Sequence, residues 1–303
     1  MTGTIYSGIK NIYDVRGKSG EHFECRIKGK KLKEDEQSYN PLAPGDKVLF
    51  DITDSQRGFI TGRHARVNRF ARWNRNQGAW QTIAANLDGL LCVISATRPP
   101  FRPRFVDRVL IAAQQGGVLP LILVNKVDLG VEPWIFERVE VWRSLGIEAL
   151  LCSAVSGEGI SKVKDIISNR TMVLFGPSGV GKTTLLNALI PGLDLLTGTV
   201  SLKSDRGRHI TNFARLLDTP NSGRLVDTPG IREIHVHGIA PEELSMWFPD
   251  FKEEDSGCSF QPCSHRHEPE CAIRLAVDAG RIHPDRYTSY LRMRDDLEKE
   301  TQW

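Results

Sequence analysis

The chain has 303 residues, 40% of them hydrophobic and 25% charged, the balance of a soluble globular protein long enough for two domains or so. Lysine and arginine outnumber aspartate and glutamate by only 40 to 37, too small an excess to imply a nucleic-acid partner from net charge alone. No apolar run approaches the ~20 residues of a membrane span, and Met1-Thr-Gly-Thr-Ile-Tyr6 lacks the basic-then-apolar layout of a secretory signal, so a cytoplasmic protein without membrane association is expected.

Residues 1 to 66 carry β-formers at Thr4 to Ile9, Tyr13 to Arg16, His22 to Ile27, Lys47 to Ile52 and Phe59 to Val67. Turn clusters such as Gly17-Lys-Ser-Gly20 and Pro41-Leu-Ala-Pro-Gly-Asp46 divide them. Five short strands suit a small barrel; an OB-fold is expected over 1–67, although another small barrel would give the same pattern. Residues 68–87 read as a basic linker. From Ser55 to Leu87 there is no Asp or Glu, but Arg57, Arg63, Arg66, Arg69, Arg72 and Arg75 are interleaved with His64, Phe70, Trp73 and Trp80. Arginine with aromatics suits phosphate contact and stacking on unpaired bases of RNA; a solvated charged face is the plainer alternative. Lys28, Lys30, Lys31 and Lys33, partly offset by Glu34-Asp35-Glu36, form a second basic cluster, and Arg98, Arg102 and Arg104 a third.

Strands and helices then alternate. Leu90 to Ser95, Leu121 to Val124, Glu148 to Cys152 and Met172 to Phe175 read as buried strands. Phe105 to Gln115, Pro133 to Leu145, Ile160 to Ser168 and Lys182 to Ile190 read as helices. The repetition predicts a parallel sheet with helices on both faces, an α/β domain over 68–235. From 236 to 303 a helical module is expected, with a first turn at Pro241, a helix from Glu270 to Ala279 closed by Gly280, and another from Pro284 to Glu300.

Three motifs sit on this frame. Gly176-Pro177-Ser178-Gly179-Val180-Gly181-Lys182-Thr183, with Thr184 next, lies between a strand and a helix. Its glycines let backbone N–H groups curl around phosphate, Lys182 reaches the β- and γ-phosphates, and Thr183 binds Mg²⁺. Alone, the loop does not separate ATP from GTP. Asn125-Lys126-Val127-Asp128 does: the Asp128 carboxylate accepts from N1–H and N2–H₂ of guanine, whereas adenine would leave it unpaired at a cost of about 1–3 kcal/mol or more. Asn125 braces the loop, Lys126 lays its stem over the base, and Ser153-Ala154 stands where a backbone N–H meets guanine O6. Asp227-Thr228-Pro229-Gly230 supplies a water-mediated Mg²⁺ contact from Asp227 and a γ-phosphate contact from the Gly230 N–H.

An ordinary GTPase runs these as phosphate loop, Asp-x-x-Gly, then Asn-Lys-x-Asp. Here the base-reading half comes first, so the domain is expected to be circularly permuted, and Asp-x-x-Gly leads directly into the C-terminal module. Loss of the γ-phosphate contact at Gly230 is then expected to reorient that module. Between phosphate loop and Asp227, the polar stretch Gly207-Arg208-His209-Ile210-Thr211-Asn212, flanked by Lys203, Asp205 and Arg206, is a switch candidate. Thr211 is its candidate for Mg²⁺, against the alternative of a surface threonine. The position where many GTPases carry a water-positioning Gln is Ile231, which implies slow intrinsic hydrolysis. His209 is the internal substitute, or simply a loop histidine.

Cys258-x₄-Cys263-x-His265-x₅-Cys271 offers a Cys₃His set, the complement of one structural zinc, with His267 as an alternative imidazole. Disulfides would leave an odd thiol. Cys25, Cys92 and Cys152 read as small buried hydrophobes.

Taken together, the OB-like start, the permuted order, Asp-Thr-Pro-Gly followed by Ile231 and the C-terminal cysteine spacing resemble the ribosome small-subunit-dependent GTPase A (RsgA) family over essentially the whole chain. Ile83-Ala-Ala-Asn-Leu-Asp88 and Arg208-His209 are further local matches. The resemblance implies a GTPase of late small-subunit maturation, turning GTP into GDP and phosphate, binding ribosomal RNA and stimulated by the small ribosomal subunit. It implies a zinc-binding C-terminal domain, and the family's proposed catalytic histidine falls on His209. The family's switch reads Gly-Arg-His-Thr-Thr-Thr, so Thr211 is the only hydroxyl that carries over. A monomer is expected. Two other readings remain: a metabolic P-loop phosphotransferase, for which no acceptor-activating base stands out, and an RNA-binding protein with a vestigial GTPase fold, against which intact Lys182, Thr183 and Asp227 speak.

Overall fold

The structure, a computed structural model, describes residues 1–29, 32, 38–196, 213–230 and 233–301. Lys30, Lys31, Lys33 and the Glu34-Asp35-Glu36 run, the switch stretch with Lys203, Asp205, Arg206, His209 and Thr211, and Ile231 lie outside the described residues.

Strands β1 (Thr2–Ile9), β2 (Ile12–Gly17), β3 (His22–Ile27), β4 (Lys47–Asp54) and β5 (Arg57–Arg63) close into a barrel. The order is β1-β2-β3-β5-β4 with β4 returning to β1; β3 and β5 are parallel and the other pairs antiparallel, an OB-type topology. Period-two alternation turns Val15, Phe23, Cys25, Val48, Phe50 and Ile60 inward. Burial pushes the Cys25 thiol up to about 11, which fits a packing role.

The stretch 68–87, read as a linker, is instead a hairpin of β6 (Arg69–Asn74) and β7 (Ala79–Ala85). Trp73 lies opposite Trp80 across it, and Gly78 takes the positive φ of the turn. The arginines disguised the strands by sitting between the aromatic and β-branched residues that form them.

The α/β sheet comprises β8 (Gly89–Ser95), β9 (Pro120–Asn125), β10 (Glu148–Leu151), β11 (Thr171–Phe175), β12 (Arg215–Asp218) and β13 (Arg224–Asp227), ordered β10-β9-β8-β11-β13-β12. All run parallel except β12, a short antiparallel strand beside β13 that the sequence patterning did not announce. Ser7 of β1 pairs with Arg215, so the sheet continues into the barrel. Every residue of β8 is buried, as expected for a strand covered on both faces. One face is covered by α1 (Pro103–Gln115) and α2 (Pro133–Ser144), the other by α3 (Ile160–Ile167) and α4 (Lys182–Leu189).

Beyond Gly238, a 3₁₀ turn at Pro241–Trp247 leads to α5 (Pro249–Asp255), α6 (Ala272–Asp278) and α7 (Pro284–Thr301). Phe248, Phe251, Tyr290, Met293 and three cysteines form their core, which also takes in Ile111 from α1. The seam to the α/β domain carries a buried ionic group. Asp107 of α1 accepts from Arg138 of α2 at 3.0 Å and from Arg286 of α7 at 2.8 Å, and Arg286 also grips Asp250 through both its Nε and Nη2. Burial lowers the Arg138 pKa. Burial pulls Arg286 down too, but Asp107 and Asp250 more than offset that and raise it. No helix among the described residues is long and apolar enough to cross a membrane.

Candidate nucleotide site and metal cluster

All three nucleotide motifs emerge at the C-terminal ends of parallel strands of one sheet, where open α/β sheets bind ligands: Asn125 from β9, the glycine loop from β11, one strand further on beyond β8, and Asp227 from the adjacent β13. Gly176 packs against β8 so closely that a Cβ would lie 2.1 Å from the Val93 carbonyl oxygen. Gly179 and Gly181 adopt φ of +83° and +94°, which a side chain would strain. Lys182 begins α4 and is buried; its Nζ donates to the carbonyls of Gly176 and Pro177 at 2.8 Å each. Desolvation lowers its pKa to about 8, with Asp227 acting in the opposite direction. Thr183 and Thr184 follow on the same helix.

Asp227 is buried and pairs in register with Leu174, one residue before the strand end that feeds the loop. Arg215 of β12 stands 3.8 Å from its Oδ2, a neighbour that local motif reading missed. Thr228 donates its hydroxyl to the Leu174 carbonyl at 2.6 Å. The Gly230 backbone then crosses Ser178: a Cβ there would sit 2.9 Å from the Ser178 Cα. The Asp-x-x-Gly turn and the phosphate loop thus touch.

The base-reading stretch closes on the same loop. Asn125 donates through Nδ2 to the Val180 carbonyl at 2.9 Å, and its Oδ1 accepts from the Ala154 N–H at 3.1 Å. A Cβ on Gly181 would lie 2.4 Å from that Nδ2. Lys126, at a positive φ of 69°, sends Nζ to the Gly179 carbonyl at 2.7 Å and to the Arg98 carbonyl. Ser153 donates to Asp128 Oδ1 at 2.6 Å while accepting from the N–H groups of Val155 and Ser156. Asp128 is exposed, so its second oxygen is open to a ligand. The loop after β8, read from the sequence only as a basic cluster at Arg98, Arg102 and Arg104, also supports the site: Ser95 Oγ bonds the Arg98 carbonyl at 3.1 Å and so shapes the turn on which Lys126 rests.

The metal-ligating atoms of Cys258, Cys263, His265 and Cys271 lie within 4.8 Å of one another, and all four residues are buried. Sγ of Cys258 and Cys271 are 4.0 Å apart, and His265 Nδ1 lies 3.6 and 3.4 Å from them. Ligands at about 2.3 Å (sulfur) and about 2.0–2.1 Å (nitrogen) from one tetrahedral ion would be about 3.8 and 3.6 Å apart. The four could hold a metal ion. His265 Nε2 faces Asp255 at 3.0 Å, fixing Nδ1 as the atom turned to the thiols. His267, the alternative imidazole, is exposed and outside the group.

The basic run near the hairpin is partly spoken for. Arg66 forms a two-pronged pair with buried Asp46 at 2.7 and 2.8 Å, an internal brace rather than a free phosphate contact. Arg75 bonds Glu300 of α7, and Trp73 stacks on His237 at 3.6 Å. Arg57 and His64 remain exposed.

A base-reading motif preceding the phosphate loop in the chain, yet bonded to it in space, defines a circularly permuted GTPase. Residues 63–237 match the family model described as RsgA GTPase, and residues 2–60 that described as RsgA N-terminal domain. The small ribosomal subunit biogenesis GTPase RsgA of Flavobacterium psychrophilum is 36% identical, across 97% of this chain and 92% of that protein. The crystal structure of YjeQ from Thermotoga maritima superposes with a TM-score of 0.75 at 28% identity, covering 98% of both chains. That of YloQ, described as a circularly permuted GTPase, gives 0.71 at 26% identity, covering 99% of this chain and 95% of that one. The chain belongs to the RsgA GTPase family.

Proposed function

We propose that this protein hydrolyses GTP to GDP and phosphate during late maturation of the small ribosomal subunit, binds ribosomal RNA, and is stimulated by the subunit. The carrying observation is the Asn125 side chain, which ties the phosphate loop at Val180 to the base-contacting turn at Ala154. Asp128, oriented by Ser153, reads guanine N1–H and N2–H₂, and the Ala154 N–H meets O6. Lys126 covers the base with its stem. The N–H groups of 176–183 cradle the phosphates, and Lys182 exchanges the carbonyls of Gly176 and Pro177 for β- and γ-oxygens. Thr183 and, through water, Asp227 would hold Mg²⁺, which would supply positive charge to the phosphate oxygens. Gly230 senses the γ-phosphate. His209, positioning the attacking water, and Thr211, reaching Mg²⁺, are the catalytic candidates of the switch.

Cys258, Cys263, His265 and Cys271 hold one zinc in a closed, structural site. Burial pushes the Cys263 thiol up to about 12 and raises Cys271, so the thiolates need a cation's charge to form. The domains divide as an OB barrel over 1–67, the permuted GTPase over 68–235 and the zinc module over 236–303, in a cytoplasmic monomer. Only ten residues separate Gly230 from Pro241, and Gln115 of α1 holds the His237 carbonyl midway at 2.9 Å. This short connection supports coupling of the γ-phosphate contact to the orientation of the module on RNA.

GTP and ATP turnover, measured with purified small and large subunits added separately, tests the reading. GTP-selective turnover raised only by small subunits is expected. Equal use of ATP, or indifference to small subunits, would overturn it.

A further inference from the structure

A cleft of about 860 Å³ opens between α1, α2, the segment 233–235 and α7. It shares no lining residue with the phosphate loop or the base motif. Its size falls within the roughly 300–1,000 Å³ of ligand pockets. Two helices present N-terminal ends to it without a side-chain cap, α1 through Arg102 and Arg104 and α2 through Trp134; α7 enters through His283 and Asp285, where His283 Nδ1 already accepts from the Asp285 N–H at 3.1 Å. In α1 and α2, Pro103 and Pro133 carry no N–H, and those of Phe105 and Ile135 bond the Arg102 and Glu132 carbonyls, which leaves the Arg104 and Trp134 N–H groups for an anion.

The charge of the lining agrees. Five arginines face three carboxylates. Arg104 pairs with Asp285 at 3.0 Å and Arg108 with Asp296 at 2.7 Å. Among the described residues, Arg102 and Arg292 form no ion pair, and both are exposed. The floor holds a second, independent sign of a ligand. Arg138 is only 1% exposed, yet its Nε and Nη1 have no hydrogen-bond partner, Nε facing Asp285 Oδ2 only at 4.0 Å; Ser289 Oγ, on a residue 2% exposed, has none either. Buried polar atoms left unmet are costly and call for a partner such as a water, an ion or a polar ligand. Burial is the main cause that lowers the pKa of both His235 and His283, with Arg75 and Arg108 adding to it at His235 and Arg138 at His283 while nearby carboxylates oppose it. One wall is aromatic: Trp134, 48% exposed, meets Phe101 edge-on at 5.1 Å and leaves indole surface to solvent.

Anion-seeking helix ends, unpaired arginines and an open indole describe the chemistry of one nucleotide. We propose that this cleft is a second nucleotide site, which takes a single unpaired nucleoside phosphate, its base on Trp134 and its phosphate among Arg102, Arg292 and the N-termini of α1 and α2. The nucleotide can be free or carried by single-stranded RNA. Glu233 to His235 line the cleft and begin three residues after Gly230, so an occupant borders the segment that leaves the γ-phosphate loop. The assignment rests on these residues alone, not on action at the ribosomal subunit.

The test uses the full chain with its GTP site filled by GDP and Mg²⁺, titrated calorimetrically with AMP, a short oligoadenylate and inorganic phosphate. Saturable adenylate binding is expected. Arg102→Ala with Arg292→Ala should weaken it about tenfold or more, and Trp134→Ala should weaken adenylates by about tenfold while leaving inorganic phosphate unchanged, the size of a lost base stack. Unaltered GDP affinity shows that the variants fold. Equal binding of AMP and oligoadenylate would assign the site to free nucleotide; binding of the oligoadenylate alone would assign it to RNA. Absence of saturable binding by both adenylates, or binding indifferent to these substitutions, overturns the proposal.

Discussion

Substituting Asp107→Asn perturbs the seam between the GTPase domain and the C-terminal module at its most buried point. The Asp107 carboxylate is inaccessible, and three hydrogen bonds end on it: two from Arg138 Nη2 at 3.0 Å and one from Arg286 Nη1 at 2.8 Å. The side chains of both arginines are at most 2% exposed. Removing one partner of a buried pair costs about 3–5 kcal/mol, because the remaining charge stays desolvated. Arg286 keeps Asp250, but Arg138 is left with only Asp285, at 4.0 Å. The loss therefore concentrates on one guanidinium, and the expected cost is about 3 kcal/mol, the low end of that range. Urea unfolding followed by tryptophan fluorescence measures it, and earlier proteolysis of the 236–303 module should accompany it. Adding Arg138→Met removes the stranded charge and should recover more than about 1 kcal/mol of the loss, a coupling that a double-mutant cycle reads directly. A cost below about 1 kcal/mol for Asp107→Asn, or full additivity with Arg138→Met, would refute the view that this pair holds the seam.

Other outcomes follow from the site. Lys182 has a pKa of about 8 against an ordinary 10.5, and phosphates should restore the higher value. Binding then takes up a proton between those limits, so GDP affinity should stay flat below pH 8 and fall by up to about tenfold per pH unit above it. Calorimetry across that range should show the slope in the wild type and none in Lys182→Met. Gly230→Ala places a Cβ 2.9 Å from Ser178 Cα, so the γ-phosphate loop must lift. Single-turnover GTP hydrolysis should drop about tenfold or more, a barrier increase near 1.4 kcal/mol, with GDP affinity nearly unchanged. Native mass spectrometry should find one zinc per chain and none in Cys263→Ser. Asp255→Ala, which removes the acceptor of the His265 Nε2–H, should weaken zinc retention against a chelator by about 10–100-fold.

What could be read from sequence was what depends on neighbours in the chain. Glycines at 176, 179 and 181, the Asn-Lys-x-Asp turn and the cysteine spacing are each complete within a few residues, and their order alone exposed the permutation. The OB barrel was legible from period-two alternation. What escaped depends on distant partners. Arg66 sits in an acid-free run and looks solvated, but Asp46, twenty residues earlier, buries it. Asp107 interrupts the apolar face of α1, and only the approach of α2 and α7 explains a carboxylate there. The hairpin β6–β7 was hidden by its own arginines, and β12 by its shortness, four residues. The cleft between α1 and α7 is built from segments about 180 residues apart, as the Arg104–Asp285 pair shows, and no local pattern encodes it.

The measurement that bears most directly on the shared guanosine site is the base preference of Asp128→Asn. The Ser153 hydroxyl can still donate to the amide oxygen, but the amide nitrogen now opposes a guanine N–H donor; xanthine carries an acceptor at C2 instead. Small-subunit-stimulated GTP turnover should fall on the order of 100-fold, and XTP turnover should rise in its place while still requiring Lys182. Undiminished GTP turnover by Asp128→Asn, or XTP turnover that survives Lys182→Ala, would contradict a single site closed by Asp128 at one end and Lys182 at the other.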